Sequence, residues 1–476
     1  MLFHTWIFAA FFLLVWPVYL AVRRTRLRDG WLLGASYVFY GWWNPLYLVL
    51  IVRCTVFDYV AVRLMARTTR PRLRKLWLAL SVACNLAVLG VFKYGRFLTD
   101  NLNDLLASAG IQYALPAPGV LLPVGISFYT FQSMSYTIDY YRGRIDAEPS
   151  LVRFATFVAL FPQLVAGPIE RASNLLPQLR TPREIHGRDL ADGLSMFVVG
   201  LFKKVALADY LALYVDRVYD APEQYRSAAL IAATVAFGWQ IYFDFSGYTD
   251  MARGIGRFMG FRLMLNFRNP YLAAGLGEFW QRWHVSLSTW FRDYVYIPLG
   301  GNRGGTFRTY RNMVLTMLVS GLWHGAAWTF VIWGALHAAG RVLTRRLETT
   351  DFYNRTLPKP VRQLLVFAFV TFTWIFFRAH SLGDAWLIVT RIFSTGWADP
   401  RFPLLAAALI AAVWAYQIAF ESGGLTWRFG SGRTWTFRPG RLVRLAPVRV
   451  AIVVLMILYL AMVPAPGGQP FIYFQF

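Results

Sequence analysis

Apolar runs of membrane length alternate with short arginine-rich stretches along the whole chain. A helix needs about 20 apolar residues to cross a bilayer, and residues 2–22 supply the first such run, followed by Arg23, Arg24, Arg26 and Arg28. Basic residues favour the cytoplasmic side of short loops, so this run is expected to end in the cytoplasm with Met1 outside. It has neither the basic start nor the small-residue cleavage site of a removable signal. Residues 31–65 are too long for one span, and Gly41-Trp42-Trp43-Asn44-Pro45 divides them into two that meet at an outer turn. Residues 76–92 cross outward again, and residues 97–119, free of lysine and arginine, read as an external loop.

Further along, the pattern becomes less regular. Residues 123–141 are apolar but threaded with Ser127, Thr130, Ser133, Ser135 and Thr137, which suits either a helix lining a wet cavity or hydroxyls bonded back to their own helix. Pro162, Gly167 and Pro168 predict that residues 151–169 form a broken or re-entrant helix. Lys203-Lys204 divides the apolar stretch 190–215, and its long stems are expected to snorkel to the cytoplasmic face. Residues 228–260 carry Asp244 and Asp250 in apolar surroundings. Asp250 and Arg253 share a helix face as an ion pair, and two roles stay open for it, structural or orienting a catalytic histidine. Gly254, Gly256 and Gly260 lack the spacing and context of a dinucleotide fingerprint, and Gly256 and Gly260 instead predict close helix packing.

Residues 262–311 are less apolar and crowded with arginine, including Arg282, Arg292 and Arg303, and read as a cytoplasmic or interfacial segment. Its glycine-rich turn at 299–305 is either a phosphate cradle or an ordinary turn. Residues 312–340 have basic residues at both ends, which predicts a segment that dips into the membrane and returns, deepest at 321–325. A single tilted span is the alternative. Apolar runs at 364–377, 403–420 and 448–463 complete an all-α polytopic chain of about 11 membrane elements, some broken or re-entrant, in a single domain over residues 1–476.

Composition agrees with that pattern and removes other classes. Of 476 residues, 57% are hydrophobic and 15% charged, against roughly 25% charged in soluble domains; the mean hydropathy is +0.43. A net charge of +24 is common in nucleic-acid binders, but here the arginines sit in short clusters between apolar runs, where they set topology and touch membrane lipid. Cys54 and Cys84 each lie in an apolar run, so neither a disulfide framework nor a thiolate metal site is expected.

Against this background two histidines stand out. One is His324 in Ser320-Gly321-Leu322-Trp323-His324-Gly325, and the other is His284 in Gln281-Arg282-Trp283-His284-Val285-Ser286, 40 residues earlier. Ionisable groups within membrane segments are costly and usually mark a functional site, and the flanking glycines allow another backbone or a substrate to come close. A neutral imidazole, with an unperturbed pKa of about 6.5, can take a proton from an alcohol as an acyl group arrives. No Gly-x-Ser-x-Gly elbow or His-Glu-x-x-His helix occurs. Ser320, four residues before His324, either pairs with it or bonds back to its own helix. His186 and His380 are expected to be solvated, and His337 structural or interfacial.

Taken together, Phe243-Asp244-Phe245-Ser246-Gly247-Tyr248-Thr249-Asp250, the stretch from Phe279 to Gly301 and Gly321-Leu322-Trp323-His324-Gly325 resemble the membrane-bound O-acyltransferases, in particular the branch that O-acetylates alginate. Residues 161–171 and the ending 471–476 extend the resemblance. It implies a multi-helix fold around a central tunnel, with His324 as principal catalytic residue and His284 as the second. It further implies acetyl-CoA as cytoplasmic donor, an exopolysaccharide such as alginate or cellulose as acceptor, an extracytoplasmic acetyltransferase partner and a bacterial inner-membrane location. Arg292 and Arg303 are candidate contacts for CoA phosphates. Three alternatives accompany this reading: D-alanyl transfer to teichoic acid by a sibling branch, a non-enzymatic polysaccharide transporter, and a small-molecule or lipid acyltransferase.

Overall fold

The computed structural model describes residues 1–120, 122–165, 167–421, 425–428, 434–437, 445–463 and 471–472. Helix α1 (Trp6–Val22) starts where the Thr5 hydroxyl accepts the Phe8 N–H at 3.3 Å, a cap that stabilises a helix by about 1 kcal/mol. Helices α2 (Arg28–Gly41) and α3 (Tyr47–Ala66) meet at the break that the sequence marks. Helix α4 (Pro71–Phe92) begins with proline, whose missing N–H costs nothing in a first turn. The expected external loop contains a helix, α5 (Gly95–Ser108), with no buried residue.

Helix α6 (Ile126–Tyr141) is a core element, and several of its hydroxyls bond to protein groups. Ser135 bonds back to the Gln132 carbonyl at 2.7 Å, whereas Ser133, together with Ser81 and Asn85, donates to the fully buried Asp58 carboxylate. The broken helix is present as α7 (Leu151–Ala159) and α8 (Phe161–Leu164), interrupted at Leu160, and α9 (Ala172–Arg180) follows.

Helix α10 (Gly187–Phe202) runs through one π-helical turn, Lys203–Ala208, into α11 (Asp209–Tyr219). Helix α12 (Ser227–Phe258) has 32 residues, about 48 Å at 1.5 Å per residue, and most of it is buried. In lipid, helices associate by close packing rather than by release of water, so small residues mark the tightest contacts. A Cβ on Gly200 would lie 2.5 Å from the Gly247 carbonyl oxygen, and one on Gly254 would lie 2.6 Å from that of Gly193. These pairs, rather than Gly256 and Gly260, bring α10 against α12. Gly256 faces Leu263 of its own following loop, and Gly260 takes φ +80° to end the helix.

Two short helices, α13 (Leu276–Arg282) and α14 (Val285–Phe291), lead to a π-helical turn at Arg292–Tyr296 and the glycine-rich loop. Helices α15 (Thr306–His324) and α16 (Trp328–Leu347) then form a hairpin. Gly321 lies against the Phe330 carbonyl and Gly334 against that of Met317, so the two arms run antiparallel, as a segment that enters and returns requires. Helices α17 (Lys359–Arg378), α18 (Leu382–Ser394), α19 (Leu404–Glu421) and α20 (Ala446–Met462) complete the helical set. Between the last two lies a short antiparallel ribbon, β1 (Leu425–Arg428) paired with β2 (Thr434–Phe437).

By length and composition α4, α12, α17 and α19 can each cross a membrane, and α1 and residues 447–462 are shorter apolar helices. α12 lies inside, while α4 and α19 expose most of their apolar surface, as peripheral lipid-facing helices do. Trp239, Trp283, Trp333 and Trp374 are fully buried and form an aromatic core beside α12.

Candidate active site

His284 occupies the break between α13 and α14 in a left-handed conformation, φ 42° and ψ 55°. Such a backbone costs a non-glycine residue roughly 1–3 kcal/mol and persists only where the surroundings impose it. Fully buried Asn266 does so here. Its carbonyl accepts the Val285 N–H at 2.9 Å and its side-chain oxygen accepts the Ser286 N–H at 3.3 Å. The Ser286 hydroxyl in turn accepts the Ile169 N–H at 3.0 Å, tying this break to the one that ends α8. The imidazole is buried, with the Phe245 ring edge-on at 4.5 Å and Phe128 at 6.3 Å.

His324 is the last residue of α15 and is also buried. Trp333 and Phe377 stand 5.0 and 5.3 Å from it, ring centre to ring centre. The Trp323 indole is 5.0 Å from His324 and 6.2 Å from His284. Two histidines 40 residues apart in sequence therefore share one tryptophan, and His284 is among the electrostatic neighbours of His324.

A cavity of about 650 Å³ opens beside this pair. Trp280, Val285 and Ser320 are on its wall, together with Arg292, Arg341 and Arg345. Neither histidine is itself on the wall; the cavity is lined by Val285, which directly follows His284, and by Ser320, one helical turn before His324. No carboxylate lines it, which suits an anionic ligand. Of the two arginines expected from sequence, Arg292 is on the wall and Arg303 is not. Arg303 sits on the glycine-rich turn, which is folded onto α15 through the Asn312 amide and the Gly301 carbonyl at 3.0 Å. Arg341 and Arg345 were hidden in the sequence because they look like the basic end of a membrane helix.

The remaining candidates have other partners. Lys204 does not snorkel: it is buried against Asp209 at 2.8 Å and Asp244 at 2.9 Å. Asp250 pairs with Arg253 at 3.6 Å, as expected, and more closely with Lys203 at 2.7 Å. The ion pairs of both carboxylates are thus with basic side chains of α12 and of the π-helical turn. Asp244 also accepts the Ile472 N–H at 2.7 Å. His337 is buried and bonded to the Thr373 hydroxyl at 3.0 Å. That hydroxyl donates to the Val370 carbonyl, so His337 donates through Nε2. His380 is exposed beside Asp220, and His186 precedes α10 with its N–H bonded to the Asp189 carboxylate. Among the described residues no group of three His, Cys, Asp or Glu side chains is placed to hold a metal ion.

Glu170, which follows Ile169, is fully buried between the Met264 N–H and the Asn174 amide. Burial pushes its carboxyl up to about 7, although those two hydrogen bonds oppose the shift.

A buried imidazole pair near a basic cavity is compatible with proton transfer at an alcohol, and comparison with known proteins supplies the family. The profile of the membrane-bound O-acyltransferase family (MBOAT) matches residues 144–382, a segment that holds both histidines. The chain belongs to this family and is a membrane O-acetyltransferase. It is 46% identical to a probable alginate O-acetylase of Azotobacter vinelandii, over 81% of this chain and 77% of that one. It is also 37% identical to a peptidoglycan O-acetyltransferase of Helicobacter pylori, over 75% and 72%. A teichoic acid D-alanyltransferase of Streptococcus thermophilus is more distant, 28% identical over 46% of this chain and 56% of that one. Family membership removes the alternative of a non-enzymatic transporter.

Proposed function

We propose that this protein moves acetyl from cytoplasmic acetyl-CoA to hydroxyls of an exopolysaccharide such as alginate or cellulose, from a multi-pass position in the bacterial inner membrane. The observation that carries the reading is the cavity with Arg292, Arg341 and Arg345 on its wall and Val285 and Ser320, chain neighbours of the two imidazoles that share Trp323, also lining it. Arg292, Arg341 and Arg345 would hold the phosphates, and the pantetheine arm would run along Trp280 and Val285 toward His324. The His324 imidazole would accept the proton of the attacking hydroxyl. The new C–O bond then forms as the C–S bond breaks, and the proton passes to the departing thiolate. His284 would orient the acceptor or its relay at the opposite side of Trp323.

The about 11 membrane elements and a tunnel continuing the cavity to the far side belong to the same proposal, as does an extracytoplasmic acetyltransferase partner that completes delivery to the polymer. Acetyl is favoured over D-alanyl because the acetylating relatives match far more of the chain at higher identity. The test is the acetyl-ester content of secreted polysaccharide from cells carrying wild type, His324→Ala or His284→Ala, with protein level and polymer yield measured in parallel. Loss of ester at unchanged protein and polymer supports the assignment, and full ester content in the His324→Ala strain overturns it.

A further inference from the structure

The last four carbonyls of a helix have no partner within it, and α15 ends inside the protein at His324. All four are nevertheless satisfied. The Gly325 N–H reaches the Gly321 carbonyl at 3.4 Å, and the Tyr94 hydroxyl donates to the Leu322 carbonyl at 2.9 Å. The Lys93 ammonium donates to the Trp323 carbonyl at 2.7 Å and to the His324 carbonyl at 3.1 Å. It also stands 5.6 Å from the centre of the Trp323 ring, the ring that both imidazoles share. Three of the four bonds thus come from two consecutive residues at the junction of α4 and α5, ahead of the family-matched segment.

A positive charge at a helix C-terminus is favourable because the exposed carbonyls carry partial negative charge, and the attraction is stronger where water is excluded. A lysine does here what a glycine-type C-cap does elsewhere, and it fixes the terminal residue in place while doing so. We propose that Lys93, supported by Tyr94, is a positioning residue that holds His324 and the Trp323 ring in their working orientation. This rests on the reading of His324 as the proton acceptor. Lys93 touches no reacting atom in this scheme; it acts through the imidazole.

The test uses membranes containing the full chain, with transfer from radiolabelled acetyl-CoA followed as a function of its concentration, and with protein amount and unfolding temperature recorded. Lys93→Met removes both donated bonds and the charge at similar length. It is expected to lower kcat roughly ten- to a hundredfold, the cost of misplacing a catalytic group by about 1 Å. KM for acetyl-CoA should change by less than about twofold, because Arg341 and Arg345 are untouched. Lys93→Arg should recover part of the rate, since it keeps a cation and donors in a different geometry. In a His324→Ala background, Lys93→Met should leave the residual rate within about twofold, because no imidazole remains to be positioned.

Wild-type kcat in Lys93→Met, beside an inactive His324→Ala, overturns the inference and leaves the proposed function standing. A further large loss in the double variant also overturns it, since Lys93 would then act independently of His324. If Lys93→Met does not accumulate, Tyr94→Phe carries the test: a drop in kcat at constant KM supports the proposal, and an unchanged kcat overturns it. Full activity in His324→Ala would remove the proposed function and the inference together.

Discussion

The Lys204 ammonium lies 2.9 Å from the Asp244 carboxylate, and both side chains are almost wholly buried in the contact between α12 and the π-helical turn. Breaking a buried pair leaves the survivor charged and desolvated, at a cost of about 3–5 kcal/mol. Lys204→Met is therefore expected to lower the detergent unfolding temperature sharply, or to reduce accumulation, by far more than Lys203→Met. Parallel thermal melts of the two variants check this.

The histidines are separable by choice of substitution. His324→Ala should reduce acetyl transfer by roughly a hundred- to ten-thousandfold, the usual worth of general acid–base catalysis. His284 combines an imidazole with a left-handed backbone, a conformation that asparagine tolerates well. If the imidazole is what matters, His284→Asn should fold normally, by melting temperature, and still lose most of its transfer rate.

The basic wall of the cavity predicts a contrast among arginines. Arg341→Ala and Arg345→Ala should each raise KM for acetyl-CoA by roughly tenfold or more, since a charge-assisted hydrogen bond contributes about 1.5–3 kcal/mol. Arg341→Ala also frees Glu348, its partner at 2.7 Å, so its stability needs a separate melt. Arg303→Ala should leave KM unchanged.

Glu170 sets a pH dependence of stability. Its carboxyl is raised from an ordinary 4.5 to about 7 by burial, so the folded protein holds that proton more tightly than the unfolded chain. The contribution is fully present below 4.5 and is lost as pH rises through about 7. Unfolding temperature should fall over that interval, and Glu170→Gln should flatten the profile.

Much of the architecture was legible in the sequence for simple reasons. Pro45 and Gly325 stand in breaks between helices and Pro162 in the first turn after one, whereas Gly321 stays inside α15, where it admits the Phe330 carbonyl. His284 and His324 were conspicuous because ionisable groups are scarce in apolar sequence. What remained hidden depends on contacts between remote segments. Lys204 resembled a snorkelling residue because its carboxylate partner Asp244 is 40 residues away. Gly254, not Gly260, meets α10, a choice fixed by the facing Gly193 rather than by local spacing. Arg341 and Arg345 carried the ordinary signature of a cytoplasmic helix end, and only the packing of α13 against α16, through Trp280 on Trp333 and His337, turns them toward a cavity.

The reciprocal seating of Gly321 on Phe330 and Gly334 on Met317 also makes the α15–α16 bend a ruler. One inserted residue turns everything beyond it by about 100° of helix. Within 318–330 that rotation would carry the imidazole off its aromatic wall and separate each glycine from the carbonyl it accommodates. Length variation should therefore be forbidden there to the single residue, while the largely exposed connection at 396–402 can grow or shrink without the active centre registering it.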